Sequence, residues 1–418
     1  MGMGGAARGA GTIPGTQFGG ATDPSFVEVR EGFQVIPSVS VGQRYDSNVF
    51  FSPKRQGLDR EDFVTTAVPQ LRGTYVGDSF MVNATAGATG EYYAKNTTLN
   101  YVGANTGIVL DLRKLVDRWW QGAALTVSDT YIYTPQAPAF LIGNLSGSQT
   151  NPFATGYQVG RANVSSNIFA ANLSMPLNQT VSLIGSYSNG FLRFGQSQVQ
   201  QSGVLLSYKY QTYSAGLSMQ VSPQDSLSVN AVYTENIYTS GSGGSFTSQG
   251  GNVEWGHTFT PFLTLKSSAG ATALKREFPG SSSATTVAPA GNLALLWKDQ
   301  TTSMALTYGA ALTPATQFQA SALLTQVVSF ALTQQTAIPE LLAVASLNYG
   351  RGDPYGSSSG TAISYASVGG TGGVVYKFSP QTFFGLNYSY GNVENQFGNN
   401  TFAWDRQVVQ MSLSHAFY

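Results

Sequence analysis

The stretch Phe80-Met81-Val82-Asn83-Ala84-Thr85-Ala86-Gly87-Ala88-Thr89 alternates in character at every second residue. Phe80, Val82, Ala84, Ala86 and Ala88 are apolar, whereas Asn83, Thr85, Gly87 and Thr89 are small or polar. Successive side chains of an extended strand point to opposite faces, so this segment has one apolar face and one hydrophilic face. The pattern returns in Leu227, Val229, Ala231 and Tyr233 against Ser226, Ser228 and Asn230, and in Phe384, Leu386, Tyr388 and Tyr390 against Gly385, Asn387 and Ser389. A unit of this kind, repeated and separated by turn chemistry, predicts an all-β chain.

Composition says what the two faces meet. The chain has 418 residues with 48 Gly, 22 Tyr, 24 Phe, no Cys and 10% charged residues, whereas soluble domains carry about 25% charge. No window holds the ~20 consecutive apolar residues of a transmembrane helix, and mean hydropathy is only -0.06. A wall that is greasy on one side and wet on the other fits both facts, and predicts a transmembrane antiparallel up-and-down β-barrel. A net charge of zero gives no electrostatic footprint for nucleic acid. The lack of Cys excludes disulfides, thiol catalysis and zinc-thiolate sites.

Strands are predicted at 33–44, 63–76, 79–94, 100–112, 119–134, 160–175, 180–195, 206–221 and 225–238. They continue at 247–260, 262–276, 287–297, 300–312, 322–333, 339–351, 363–378, 381–394 and 404–418, 18 in all. Gaps after even strands are short, as at Pro176 to Gln179, Ser222 to Gln224 and Ser379-Pro380, while those after odd strands are mostly longer, as at Pro135 to Val159. Outer-membrane barrels have short periplasmic turns and long external loops, so this rhythm with an even count predicts both termini in the periplasm. Residues 32–418 are expected to form one barrel domain. Residues 1–31, rich in Gly, Ala, Thr and Pro, are expected to be a flexible tail. Their lack of an apolar signal segment is read as a signal peptide already removed.

Trp119, Trp120, Trp255, Phe259, Phe262, Trp297, Phe378, Phe383 and Phe417 fall beside the short turns, and Tyr131, Tyr133, Tyr187, Tyr233, Tyr349 and Tyr390 towards the other end. Two aromatic girdles at the membrane interfaces are therefore expected, with outer-membrane lipid and lipopolysaccharide as surroundings. The ending Leu413-Ser414-His415-Ala416-Phe417 resembles the C-terminal signal read by the barrel-assembly machinery, departing from it in the extra Tyr418.

A search for catalysis finds two histidines, His257 and His415, both in the apolar phase of their strands and so expected to face lipid. Neither sits where a general base is needed, and neither has metal-ligand spacing around it. No enzyme activity, metal or cofactor is expected. The charged residues predicted to line the pore are Arg72, Glu91, Asp111, Glu254, Lys266, Lys377 and Arg406, four positive and three negative among Ser, Thr, Asn, Gln and Gly. No ring of one sign emerges from that set. Arg351-Gly352-Asp353 reads as an ordinary turn rather than an adhesion tripeptide, and the run from Lys54 to Asp62 as a solvated mixed-charge loop.

Tyr45-Asp46-Ser47-Asn48-Val49-Phe50, then Asp62-Phe63-Val64-Thr65-Thr66 and Val68-Pro69-Gln70-Leu71, resemble the start of a family of outer-membrane barrels encoded with exopolysaccharide and exosortase (PEP-CTERM) systems. Leu125 to Tyr131 and the Ser-Pro turns at Ser222-Pro223 and Ser379-Pro380 fit the same pattern. The resemblance implies an outer-membrane location and a link to polysaccharide export, and carries over no catalytic residue. Two functions are expected to compete: a porin-like conduit for hydrophilic solutes, and a non-conducting scaffold enclosing or anchoring a partner such as a periplasmic electron carrier.

Overall fold

The computed structural model describes residues 32–51, 53, 59–134, 162–197, 207–239, 244–277, 283–314, 322–355 and 363–418. The first nine strands are β1 (Gly32–Asp46), β2 (Asp62–Val76), β3 (Met81–Tyr93), β4 (Tyr101–Asp111), β5 (Ala124–Thr134), β6 (Ala162–Pro176), β7 (Val181–Ser197), β8 (Tyr208–Gln220) and β9 (Asp225–Tyr238). The others are β10 (Ser245–Thr260), β11 (Leu263–Glu277), β12 (Ala284–Lys298), β13 (Thr302–Pro314), β14 (Ala322–Gln335), β15 (Leu341–Pro354), β16 (Ile363–Lys377), β17 (Thr382–Phe397) and β18 (Asn400–Ala416). Each pairs antiparallel with the next, and β1 pairs with β18 as well as with β2. The sheet therefore closes on itself and leaves no strand edge unpaired, the condition for a β-structure to sit in lipid. Ser38 lies opposite Ala416 at the closing seam, so the start of β1 and the end of β18 share one end of the barrel.

That end also carries the short turns 77–80, 177–180, 221–224, 261–262, 299–301, 336–340 and 378–381. The strand ends joined by the longer stretches, 47–61 and 135–161 among them, lie at the opposite end. Two exceptions correct the predicted boundaries. The strand expected from 119 begins at Ala124, because 112–123 form a turn around a one-turn helix, α1 (Arg113–Val116). Asp111 Oδ1 accepts the Arg113 N–H at 2.9 Å, and Asp117 Oδ1 accepts that of Gly122, whose φ is 79°. The loop expected at 395–403 is instead a hairpin: Asn395 pairs with Phe402, Gln396 with Thr401, and Gly398 turns the chain at φ 56°. The predicted tail 1–31 and the loop 135–159 lie outside the described residues.

Residues directly opposite one another in an antiparallel pair share a face, so the register carries the two faces around the whole barrel. One face holds exposed Phe33, Val41, Leu71, Leu217, Val229, Leu306 and Leu413. This is the outer wall. At mid-strand height, Phe169, Tyr187, Tyr213 and Tyr233 form a chain of rings across β6 to β9, with centroids 6.2, 5.1 and 6.3 Å apart. At the short-turn end Trp255 stacks on His257, which meets Phe259 edge-on, and His415 meets Phe417 edge-on. Phe383 departs from the expected girdle: it lies opposite Ser414 and faces inward. Tyr418 docks on the turn between β16 and β17, its hydroxyl donating to Pro380 O at 2.8 Å.

Candidate functional site: the polar lumen and its charged seam

Through the middle of the barrel the inner face is built mainly from small and polar residues. Hydroxyls meet across neighbouring strands, as in Ser186 with Ser214 (2.6 Å), Thr212 with Thr234 (3.0 Å) and Thr371 with Ser389 (3.1 Å). Six asparagines lie directly opposite glycines: Asn105 on Gly87, Asn230 on Gly216, Asn252 on Gly270, Asn292 on Gly309, Asn348 on Gly369 and Asn387 on Gly373. The fit is close. A Cβ on Gly87 would stand 2.9 Å from Asn105 Oδ1, and one on Gly216 or Gly373 would collide with the facing amide oxygen. Asn348, with its amide oriented to satisfy both ends, donates to Gly369 O at 3.0 Å and accepts from Gly369 N at 3.2 Å. At Gly87, Gly216, Gly369 and Gly373 glycine thus makes room for the facing amide, and all six asparagines remain half-exposed within the barrel.

The register places Arg72, opposite Ile36 and Thr85, on this inner face, with Glu91 opposite Thr66 and Asp111 opposite Thr126. Glu254 is opposite Ser228 and Ser268, Lys266 opposite Gly256 and Ala294, Lys377 opposite Phe383, and Arg406 opposite Gly391. They do not form one site. Glu91 and Arg406 belong to a buried network at the closing seam, together with Arg44 and Asp46, two residues the sequence reading did not single out. Arg44 donates to both oxygens of Glu91 at 2.9 and 3.0 Å, and the Tyr93 hydroxyl donates to Glu91 Oε2 at 2.5 Å. Arg406 donates to both oxygens of Asp46 at 3.0 and 2.6 Å. Such two-point guanidinium–carboxylate contacts are the strongest ion-pair geometry.

The segment after β1 folds over this network. Asn48 N–H donates to Asp46 Oδ1 (3.1 Å) and its amide to Asp405 O (3.0 Å), while Val49 and Phe51 are buried. Phe51 adopts φ 52° and lies under the Arg406 guanidinium, 4.3 Å from its ring centroid. The Tyr45 to Phe50 motif therefore has a physical role: it plugs the inner wall where the first and last strands meet. Strand parity was the signal available for Arg44 and Asp46, since both are in phase with Ser38 and Ser40. A second large cluster lines the long-loop end on the other side, with Leu192, Tyr208, Tyr210, Tyr238, Phe246 and Leu274 packed together.

The inner-face charges divide by height. Towards the long loops Arg44, Arg276 and Arg406 stand against Asp46, Asp62 and Glu91, a balanced set. Towards the short turns Arg72, Lys266, Lys298 and Lys377 stand against Asp111 and Glu254. Lys298 and Arg276 are further inner-face cations the sequence reading passed over.

His257 and His415 are on the outer wall. His257 Nδ1 meets Asp225 Oδ1 at 2.8 Å and His415 Nδ1 meets Thr382 Oγ1 at 2.9 Å, each beside aromatic rings at the short-turn rim. Among the described residues no three His, Asp or Glu side chains gather as a metal site would require. The Arg351-Gly352-Asp353 tripeptide is part of β15 rather than a turn, and its charged ends pair with each other at 2.7 Å.

A closed antiparallel barrel of 18 strands, apolar outside and lined with hydroxyls and amides inside, has the fold of the outer-membrane β-barrels. Among solved structures it is similar to the outer membrane protein opdK from Pseudomonas aeruginosa, at 11% identity and a TM-score of 0.50, covering 92% of this chain and 99% of that one. Pseudomonas aeruginosa OccK9 (OpdG) matches at 12% identity and TM-score 0.49 over 93% and 100% of the two chains. The FrpB iron transporter from Neisseria meningitidis (F5-1 variant) matches at 9% and 0.45 over 93% and 83%. No protein-family model and no curated protein matches the sequence. At such identities the likeness concerns the fold.

Proposed function

We propose that the protein is an outer-membrane conduit for hydrophilic solutes, with its short-turn end in the periplasm. The observation that carries this reading is the mid-barrel inner face, where amides seated on glycines and paired hydroxyls remain accessible. Barrels of 16–18 strands are wide enough to leave an aqueous channel. Hydroxyls and amides exchange hydrogen bonds with a passing solute at little net cost, because each broken contact is replaced. Carbohydrate matches that chemistry, and the resemblance to exopolysaccharide-associated barrels makes an exported polysaccharide the solute of choice. Lipid and lipopolysaccharide surround the apolar wall, and the barrel-assembly machinery inserts it. The test is swelling of liposomes containing the purified protein in sugars of increasing size. Swelling that falls off with solute size supports the conduit, and liposomes as tight as protein-free ones refute it.

One observation favours a non-conducting scaffold. Large buried side chains occupy the inner face on two sides of the long-loop end, as a barrel wrapped around or closed by a partner would require. The same swelling assay separates the two readings.

A further inference from the structure

The seam network changes what the lumen offers to an ion. Residue by residue the inner face shows mixed charge, but of its twelve charged residues on the described strands four are already paired at the seam. Arg44, Asp46, Glu91 and Arg406 neutralise one another at 2.6–3.0 Å in two-point contacts, and Arg44, Asp46 and Glu91 are buried. Their fields largely cancel for a solute in the lumen.

Towards the short turns the inner face carries four cations and two carboxylates. Both carboxylates have donors: Glu254 accepts from Asn252 Nδ2 at 3.0 Å and Ser228 Oγ at 3.4 Å, and Asp111 accepts the Arg113 N–H and pairs with its guanidinium at 3.8 Å. Arg72 and Lys266 have no carboxylate within 4.0 Å among the described residues, and Lys266 is exposed inside the barrel. Turn residues at the rim have the opposite balance, with Asp78, Asp117, Asp299 and Glu340 against Arg113, Lys114 and Arg118. Those charges stand in open solvent, where screening acts over about 8 Å. Charges on the lumen wall are flanked by low-dielectric protein that focuses their field on a passing ion, so the lumen set dominates selectivity.

Resting on the conduit reading, we propose that the lumen prefers anionic hydrophilic solutes, of which a carboxylated oligosaccharide is the class that also uses its amides, and that Arg72 and Lys266 set this preference. In planar bilayers under a tenfold KCl gradient, the zero-current potential of the full chain should report a chloride-to-potassium permeability ratio of about 2 or more. The double variant Arg72→Gln/Lys266→Gln should bring the ratio to about 1, whereas Lys275→Gln, on the outer face, should leave it unchanged. If the double variant does not insert, the unaltered protein suffices: a polyuronate oligomer should block current at lower concentration than a maltodextrin of equal length. Channels that are unselective or favour potassium, or that both oligomers block equally, overturn the preference and leave the conduit standing. A protein that never conducts overturns both.

Discussion

Arg44 on β1 and Glu91 on β3 meet in a two-point ion pair, 2.9 and 3.0 Å, across the intervening β2. Both side chains are at most 3% exposed. Beside them Asp46 binds Arg406 of β18, so four charged groups tie β18, β1 and β3 together at the place where the barrel closes. Hydrogen bonds of the ladder close the backbone, and this network locks the side chains over the seam.

Removing one member should therefore cost more than removing both. Glu91→Leu leaves the buried Arg44 with only Asp46, 3.7 Å away and already held by Arg406, a loss of about 3–5 kcal/mol, whereas Arg44→Met/Glu91→Leu should lose much less. Urea unfolding of the inserted barrel, followed by tryptophan fluorescence, reads the difference as a double-mutant cycle. Additive losses would show that the two residues do not act as a pair.

The amide-on-glycine pairs predict a specific rescue. Gly373→Ala drives a methyl group into the Asn387 amide, so it should destabilise by about 1–3 kcal/mol. Adding Asn387→Ala should recover the part of that loss due to the amide, the remainder coming from the Leu386 carbonyl oxygen, 2.7 Å from the added Cβ. If Gly373→Ala is harmless by itself, the amide is not packed against the glycine.

Phe51 closes the seam from above, under Arg406 and against Val393 and Trp404. Phe51→Ala should cost about 3–5 kcal/mol, as for a buried phenyl ring. Limited proteolysis gives a second readout: cleavage within 47–61 should accelerate in the variant, and unchanged cleavage would show that Phe51 does not hold this segment.

Acid sensitivity has a local source in the turn before β13. Asp299 accepts the N–H groups of Thr301 and Thr302 at 2.8 and 2.7 Å and that of the Trp297 indole at 3.1 Å, and these donors hold its carboxyl below the usual range. A carboxyl whose folded value is depressed stabilises the fold above its unfolded value of about 3.9, and this contribution disappears as pH falls through the folded value. The melting temperature of Asp299→Ala should therefore lie below that of the wild type at pH 5–8, with the gap closing below about pH 4. A gap independent of pH would assign the effect to packing.

The sequence made the barrel legible because period-two alternation needs no tertiary information: Phe80 to Thr89 and Phe384 to Tyr390 carry their two faces in the chain itself. Boundaries failed where turn chemistry overrode that pattern, at Gly122 and Gly398, both at positive φ. The seam was not legible, since Arg44 and Glu91 are 47 residues apart and Asp46 and Arg406 360 apart. Only closure brings such pairs together, and only closure shows which inner-face charges are already spent.

The absence of cysteine in the chain allows the central claim, an accessible lumen lined by one strand face, to be tested directly. Single cysteines at Thr85 and Ser329, on the inner face, and at Ala84 and Phe330, on the outer wall, would be exposed to a charged, membrane-impermeant thiol reagent during single-channel recording. Thr85→Cys and Ser329→Cys should be modified with a stepwise change in conductance, and Ala84→Cys and Phe330→Cys should not react. Labelling without this alternation, or inner-face cysteines that never react, would contradict it.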